Sequence, residues 1–248
     1  MIVVKTPLEL DAMRRVNRMT AQVRDAIAAM VCPGITTLDL GNAAFDLIRK
    51  FGGTSAFYGY HGFPGQICVS INEEVVHGIP GKRIIRDGDI VSIDTGINFG
   101  GFIGDTAVTV AAGKIDGQKQ KLLDVTQAAL AAGISKAVAG NHLGDISHVI
   151  QEVVEAAGFS VVREFVGHGI GRDLHEDPQI PNFGKAGRGP RLKLGMTLAI
   201  EPMVNVGDSK VRVLDDNWTA VTCDGSASAH FEHTVAIGLT APEILTLA

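Results

Sequence analysis

Apolar residues near the start of the chain recur with a helical period. Leu10, Met13, Val16, Val23, Ile27 and Met30 form one stripe, which predicts a long helix with a single buried face. Thr6, Pro7 and Glu9 precede it in the order of N-cap, first-turn proline and capping-box acid, and Cys32-Pro33-Gly34 stops it. A second stripe, Leu40, Ala44, Leu47 and Phe51, begins after Thr36 or Thr37 and ends at Gly52-Gly53. From residue 66 the period changes, and residues 67–71, 90–97 and 102–110 read as strands. Helical periodicity returns over 117–139 and 143–157, and strands resume at 197–204, 210–213, 219–222 and 230–238. Helices and strands come in blocks without βαβ alternation. That order predicts an α+β fold in which helices cover a curved, largely antiparallel sheet. Residues 86–94 (RDGDIVSID) also align without gaps on 193–201 (KLGMTLAIE). Each segment reads as a strand that delivers an acid at its end, which suggests two similar halves about a pseudo-two-fold axis.

A chain of 248 residues, 46% hydrophobic and 20% charged, supports a large core and one compact domain spanning 1–248. A net charge of -5 gives no electrostatic case for nucleic acid. No apolar run approaches the length of a membrane span, and Met1-Ile-Val-Val-Lys5 is too short for a signal-peptide core. Cys32, Cys68 and Cys223 are far apart and form no CxxC pair. They argue for a reducing compartment, hence the cytoplasm, and against a thiolate zinc site. Cys32 and Cys223 read as ordinary buried thiols.

The candidate chemistry lies in five residues: Asp94, Asp105, His168, Glu201 and Glu232. Each sits in an apolar or glycine-rich context, namely VSIDTG, GFIGDT, FVGHGIG, LAIEP and HFEHT. Carboxylates that end apolar strands should be buried, and a buried carboxylate is costly unless it is neutralised or holds a metal. Four acids and one imidazole carry too much negative charge for one divalent ion and suit two, which points to hydrolysis. Asp94 and Asp105 flank a hairpin-like segment centred on Phe99-Gly100-Gly101. A loop symmetric about Phe99-Gly100 would set the two acids directly opposite each other, a repulsive pair without a cation. The alternative is a solvated hairpin end. His168 between glycines could equally be a structural turn histidine, and Glu201 and Glu232 could each be an edge-strand acid. His175, in Asp-Leu-His-Glu-Asp-Pro, fits no standard zinc spacing. An oxygen-rich donor set with one imidazole favours Mn, Fe, Co or Zn without choosing among them.

Taken together, SINEEVVHGIP (70–80), DIVSIDTG with GFIGDTAVTV (89–110), GHGIGRDLHEDPQIPNFG (167–184), LAIEPM (198–203) and SAHFEHTVAI (228–237) resemble the type I methionine aminopeptidases over nearly the whole chain. The resemblance implies a pita-bread fold, a pseudo-symmetric antiparallel sheet backed by helices with a dinuclear site at its centre. It implies that Asp94 binds one metal, that Asp105 and Glu232 bridge, and that His168 and Glu201 complete the other. His77 then matches the histidine on the substrate-amine side, and His175 the one that stabilises the scissile carbonyl. Tyr60, Phe63, Cys68 and Trp218 match walls of a methionine pocket, whose aromatic and sulfur lining suits a thioether. Asn72, Glu74 and Ser228 match a monovalent-cation site, with Glu74 standing where a small apolar residue is common. Leu174 occupies a rim position that is often aromatic. The implied partners are nascent polypeptide N-termini, which places the protein near the ribosome exit. No basic tail is present, so any docking there is expected to be transient, and a monomer is expected. The nearest enzymatic rival is a proline-specific aminopeptidase or prolidase on the same fold. A non-catalytic peptide-binding relative is the other, and such proteins lose the metal ligands that are all kept here.

Overall fold

The structure, a computed structural model, describes residues 1–248. Helix α1 (Pro7–Ala28) opens on the predicted capping box, in which Thr6 and Glu9 exchange side-chain-to-backbone hydrogen bonds. Met13, Val16, Val23 and Ile27 are fully buried along one face. Met30 departs from the expected stripe and is 41% exposed. The helix has ended by then, and Met30 N reaches back only three residues to Ile27 O. Helix α2 (Thr37–Lys50) begins on a second capping box, Thr36 with Asp39. Leu40, Ala44 and Ile48, spaced by four, make its buried row, and Phe51 falls at the C-cap and is exposed. Helices α3 (Gly117–Ser135) and α4 (Leu143–Ala156) pack on each other, with Gly133 admitting Ile150 and Ile146 of α4.

The large sheet has nine strands, all antiparallel. Its principal members are β1 (Cys68–Ile71), β2 (Asp89–Phe99), β3 (Phe102–Ala112), β4 (Gly167–Gly169), β5 (Glu176–Ile180), β6 (Thr197–Ile200) and β7 (Glu232–Ala236). The order β2-β3-β7-β6-β4-β5 runs from the short edge strand Thr54–Ser55, and β1 pairs separately with β2. Two strand pairs, β2/β3 and β6/β7, meet edge to edge where β3 pairs with β7. The two sequence-echo segments lie in β2 and β6, the outer strand of each pair.

Each pair has its own helices and its own core. One buried cluster of 25 residues joins α1 and α2 to β1 and β2 through Met13, Val23, Leu40, Ile48, Ile93 and Ile97. Another of 23 residues joins α3 and α4 to β6 and β7 through Leu122, Ile146, Ile150, Leu198 and Val235. Cores of nearly equal size on the two halves fit the pseudo-two-fold reading. Helix α1 comes unusually close to β3 because Gly104 has no side chain, and a Cβ there would stand 2.5 Å from Thr20 Oγ1.

Two apolar runs that predict continuous strands are each broken in two. The run 197–204 splits at Pro202, which has no N–H to donate to a ladder. Met203–Asn205 leaves the large sheet and pairs with Ser228–His230 and Ser160–Val161. The run 230–238 splits likewise at Phe231, whose N–H turns to Pro202 O. Strands β4 and β5 were not predicted at all. Both are short, and β4 is glycine on either side of His168.

A buried ion pair ties the start of the chain to the first residue of β5. Lys5 Nζ meets Glu176, with the two side chains 2% and 7% exposed, and Glu176 also accepts from Arg172 N at 3.0 Å. Removing one member strands a charge in the interior. Lys5→Met should therefore cost about 3–5 kcal/mol in urea unfolding, and adding Glu176→Leu should recover most of it. A single-variant cost below about 1 kcal/mol would mean the pair behaves as a solvated surface bridge.

Candidate metal centre and active site

The turn between β2 and β3 sets the geometry of the acids. Gly100 and Gly101 both have positive φ, 63° and 78°, and form a two-residue connection with Phe99 paired to Phe102. This is the left-handed backbone that tight hairpins require. The register differs by two positions from the symmetric loop expected from sequence: Asp94 faces Ala107, and Asp105 faces Gly96. The two acids are therefore diagonal neighbours on one face, and the directly opposed pair is corrected. Ala107 also pairs with Glu232. Asp94, Ala107 and Glu232 thus form a row across three strands, with Asp105 two residues along on the same face. A methyl group is all that separates the two carboxylates of that row.

Glu201 follows the last residue of β6, where Ile200 pairs with His233. His168 comes from β4, the neighbour of β6. Its Nε2 lies 3.5 Å from Glu201 Oε1 and 3.9 Å from Asp105 Oδ2. Its Nδ1 lies 2.9 Å from Gly169 O. A carbonyl can only accept, so Nδ1 carries the proton and Nε2 presents a lone pair to the acids, the tautomer a metal ligand needs. One ligand atom each from Asp105, His168 and Glu232 lie within 4.8 Å of one another, and all three residues are buried.

The electrostatics of the cluster ask for cations. Asp94 Oδ1, Asp105 Oδ1 and Glu232 Oε1 are buried with no hydrogen-bond partner. Burial raises the Asp94 carboxyl to about 7, with Glu201 adding to the rise and His230 opposing it. Burial first, then Asp94 and Glu201, push Asp105 well above the carboxylate range. Glu232 is driven up by burial, then by Asp105, Glu201 and Asp94. Orphaned oxygens on several acids, together with one imidazole lone pair, form an oxygen-rich donor set that fits divalent metal.

A cavity of about 250 Å³ opens over this face. It is lined by the five candidate ligands and by His77, His175, Tyr60, Phe63, Cys68 and Trp218, together with Phe57, His61 and Leu174. Phe63 and Trp218 meet edge to face at 5.1 Å. His77 stands in the left-handed region at φ 61°, a conformation that costs a non-glycine residue about 1–3 kcal/mol and gathers at functional sites. Burial lowers its pKa. His175 is lowered to about 4, by burial and then by His168. A second cavity of about 370 Å³ shares His77, Asp94, His168, His175 and Glu201 with the first and leads away past Glu164, Phe165 and Gln179.

Asn72, Glu74 and Ser228 line neither cavity. Ser228 N donates to Asn72 O at 2.8 Å, but the Asn72 side chain is taken by Asp89, Ile90 N and Lys119. The Glu74 carboxylate accepts from Ile71 N and pairs with Arg83. Cys32 and Cys223 are exposed, contrary to the buried thiols expected, because both fall in connections outside the helices and strands, and only Cys68 is buried. A buried histidine beside the acids was missed: His230, whose Nε2 stands 3.4 Å from Glu201 Oε2. Its place two residues before Glu232 was the available signal.

The profile of metallopeptidase family M24 matches residues 11–238. The chain belongs to metallopeptidase family M24. Among relatives in that family, it is 53% identical to methionine aminopeptidase 1 of Bacillus subtilis, aligned over 99% of both chains. It is 51% identical to a methionine aminopeptidase of Clostridium perfringens, over 100% of this chain and 99% of that one. The crystal structure of a methionine aminopeptidase from Thermotoga maritima superposes with a TM-score of 0.98 at 47% identity, covering all of both chains. A prolidase from Pyrococcus furiosus shares the fold, with a TM-score of 0.81 at 19% identity and 66% of its chain covered. The resemblance read from the motifs is borne out, and so is the pita-bread fold. No helix is long and apolar enough to cross a membrane.

An M24 metallopeptidase stripped of metal should show the strain of its acids as pH rises. A carboxyl whose folded pKa exceeds its unfolded value contributes stability below the unfolded value and loses it as pH climbs through the folded one. For Asp94 that window runs from its ordinary 3.8 to about 7. The melting temperature of stripped protein should fall across it, and Mn²⁺ should abolish the fall by displacing the protons. Calorimetric melting from pH 5 to 7.5, with and without Mn²⁺, reads this directly. A stripped protein that gains stability throughout would contradict it.

Proposed function

We propose that this chain removes the N-terminal methionine from nascent proteins and peptides whose second residue is small, by hydrolysing the first peptide bond. The observation that carries this reading is the continuity of the two cavities. A pocket walled by aromatic rings and the Cys68 sulfur ends on the orphaned carboxylates, and a groove continues from the same residues. An unbranched thioether fits the pocket walls of Tyr60, Phe63, Cys68 and Trp218, and the remainder of the peptide takes the groove. The names of the close relatives support the same reaction.

In this reading Asp94 would serve one divalent ion, His168 and Glu201 the other, and Asp105 and Glu232 both. Co, Mn, Fe and Zn all suit the donors. Two such ions would supply a water acidic enough to attack at neutral pH and a polarised carbonyl. The chain's own groups do the rest. The pocket fixes the first residue, so that the scissile bond lies over the acid row. His175, kept neutral by its surroundings, donates to the carbonyl oxygen as charge develops there. His77, against Phe165 and Trp218 on the groove side, moves a proton on the amine side. A monovalent cation at Asn72, Glu74 and Ser228 would have to rest on backbone carbonyls, since the side chains of Asn72 and Glu74 are engaged. Nascent chains as substrates place the enzyme in the cytoplasm near the ribosome exit.

Peptide assays test the reaction. A Met-Ala peptide should be cleaved in the presence of added metal, a Met-Lys peptide far more slowly, and a chelator should abolish both. Leu in place of Met should cost about 1–3 kcal/mol in kcat/KM, the reach of one apolar pocket. Preferential cleavage of an Xaa-Pro peptide would assign the chain to the prolidase side of the family.

The histidine roles separate by metal content. His175→Ala should lower kcat by about 10²–10³ with little change in KM and with metal content unchanged. His77→Ala should also keep its metal but alter the pH profile. His168→Ala should lose part of its metal, measured by calorimetric titration. Metal lost from His175→Ala and retained by His168→Ala would exchange the two assignments.

A further inference from the structure

Two imidazoles, His168 and His175, stand edge to face with ring centroids 4.3 Å apart beside the same acids. They are assigned opposite tasks: one must offer a lone pair, the other a proton. Their remote nitrogens have different partners. The His168 Nδ1 faces a carbonyl, which can only accept. The His175 Nδ1 lies 2.7 Å from the Tyr60 hydroxyl, which has a proton to give. A phenol is a better donor than acceptor, because its oxygen lone pair is delocalised into the ring, whereas a neutral imidazole nitrogen is a good acceptor. Tyr60 Oη makes no other hydrogen bond. The favoured arrangement is thus O–H of Tyr60 donating to Nδ1, which leaves the proton of His175 on Nε2.

We propose that Tyr60 is a positioning residue that holds His175 in the Nε2–H tautomer, so that this imidazole enters the cavity as a hydrogen-bond donor to a developing oxyanion. The proposal rests on the reading of His175 as that donor. A third group that fixes the tautomer and orientation of a working imidazole is a recurrent catalytic device. The loop around Tyr60 is shaped to aim the hydroxyl. Gly59, His61 and Gly62 are all left-handed, at φ 81°, 48° and 90°, and Gly59 N closes the loop on Phe63 O at 2.8 Å. The ring of Tyr60 remains a wall of the pocket, and the hydroxyl serves the second purpose.

Tyr60→Phe keeps the wall and removes only the hydroxyl. In the Zn²⁺-loaded wild type, nitrogen NMR of His175 should show a protonated Nε2 and an Nδ1 resonance shifted by an accepted hydrogen bond. In Tyr60→Phe the Nδ1 resonance should move to that of a free imidazole acceptor. Turnover of a Met-Ala peptide should fall by about 10-fold to 100-fold, less than loss of the whole donor, with KM within about twofold. A wild-type His175 protonated on Nδ1 overturns the proposal. So does a Tyr60→Phe protein with an unmoved resonance or unchanged kcat while His175→Ala is impaired. If the resonances behave as expected but His175→Ala retains full kcat, the tautomer assignment stands and the reading of His175 as the carbonyl donor fails.

Discussion

Crowding of carboxylates on one buried sheet face is the constraint on which this structure turns. Asp94, Asp105, Glu201 and Glu232 share a space in which Asp94, Asp105 and Glu201 each raise the pKa of at least one neighbouring carboxyl. Desolvation is the largest contribution for the three that are shifted, so the fold itself opposes ionisation there. No lysine or arginine lines the cavity to compensate. The protein resolves the conflict only with protons or with metal. That makes the occupied state a thermodynamic partner of the fold as well as a reagent.

The site is assembled from both halves of the molecule, and neither half supplies it alone. Asp94 and Asp105 come from the pair β2/β3 on the core of α1 and α2. Glu201 and Glu232 come from the pair β6/β7 on the core of α3 and α4. The joint β3/β7 brings them together, and Thr106 Oγ1 stitches it by donating to Glu232 O at 2.8 Å while accepting from Arg24 at 2.6 Å. On that joint the wall residues divide the space. Phe63, Cys68 and Trp218 shape one end, and Phe165 and Gln179 the other.

Much of this was legible in the sequence because strong local rules agreed with the tertiary result. The Thr6–Glu9 capping box, the helical rows of Met13 to Ile27 and Leu40 to Ala44, and the acids ending apolar strands all carry their meaning within a few residues. What was misread depended on long-range partners. The register of Asp94 against Asp105 turns on which two residues make the turn, and Phe99, Gly100 and Gly101 allow more than one choice. Strand β4 carries no apolar alternation, since it borrows its stability from β5 and β6. His230 has no motif of its own, and its relevance appears only once Glu201 arrives from another strand. Asn72 looks available in sequence because Lys119, which engages it, is distant in the chain.

The Gly100–Gly101 turn has a reach that its position conceals. It lies six residues from Asp94 and four from Asp105 in extended chain, about 20 Å and about 13 Å away. Strand geometry has a period of two, so slippage by a single residue would carry one of the aspartates to the helix-covered face. A bulky or β-branched replacement at either glycine would resist the left-handed backbone and favour a different loop. Such a lesion would resemble a tolerated surface change by exposure and by distance, yet it would act as the loss of a ligand. The hairpin thus behaves as a ruler whose zero mark is set by two residues without side chains.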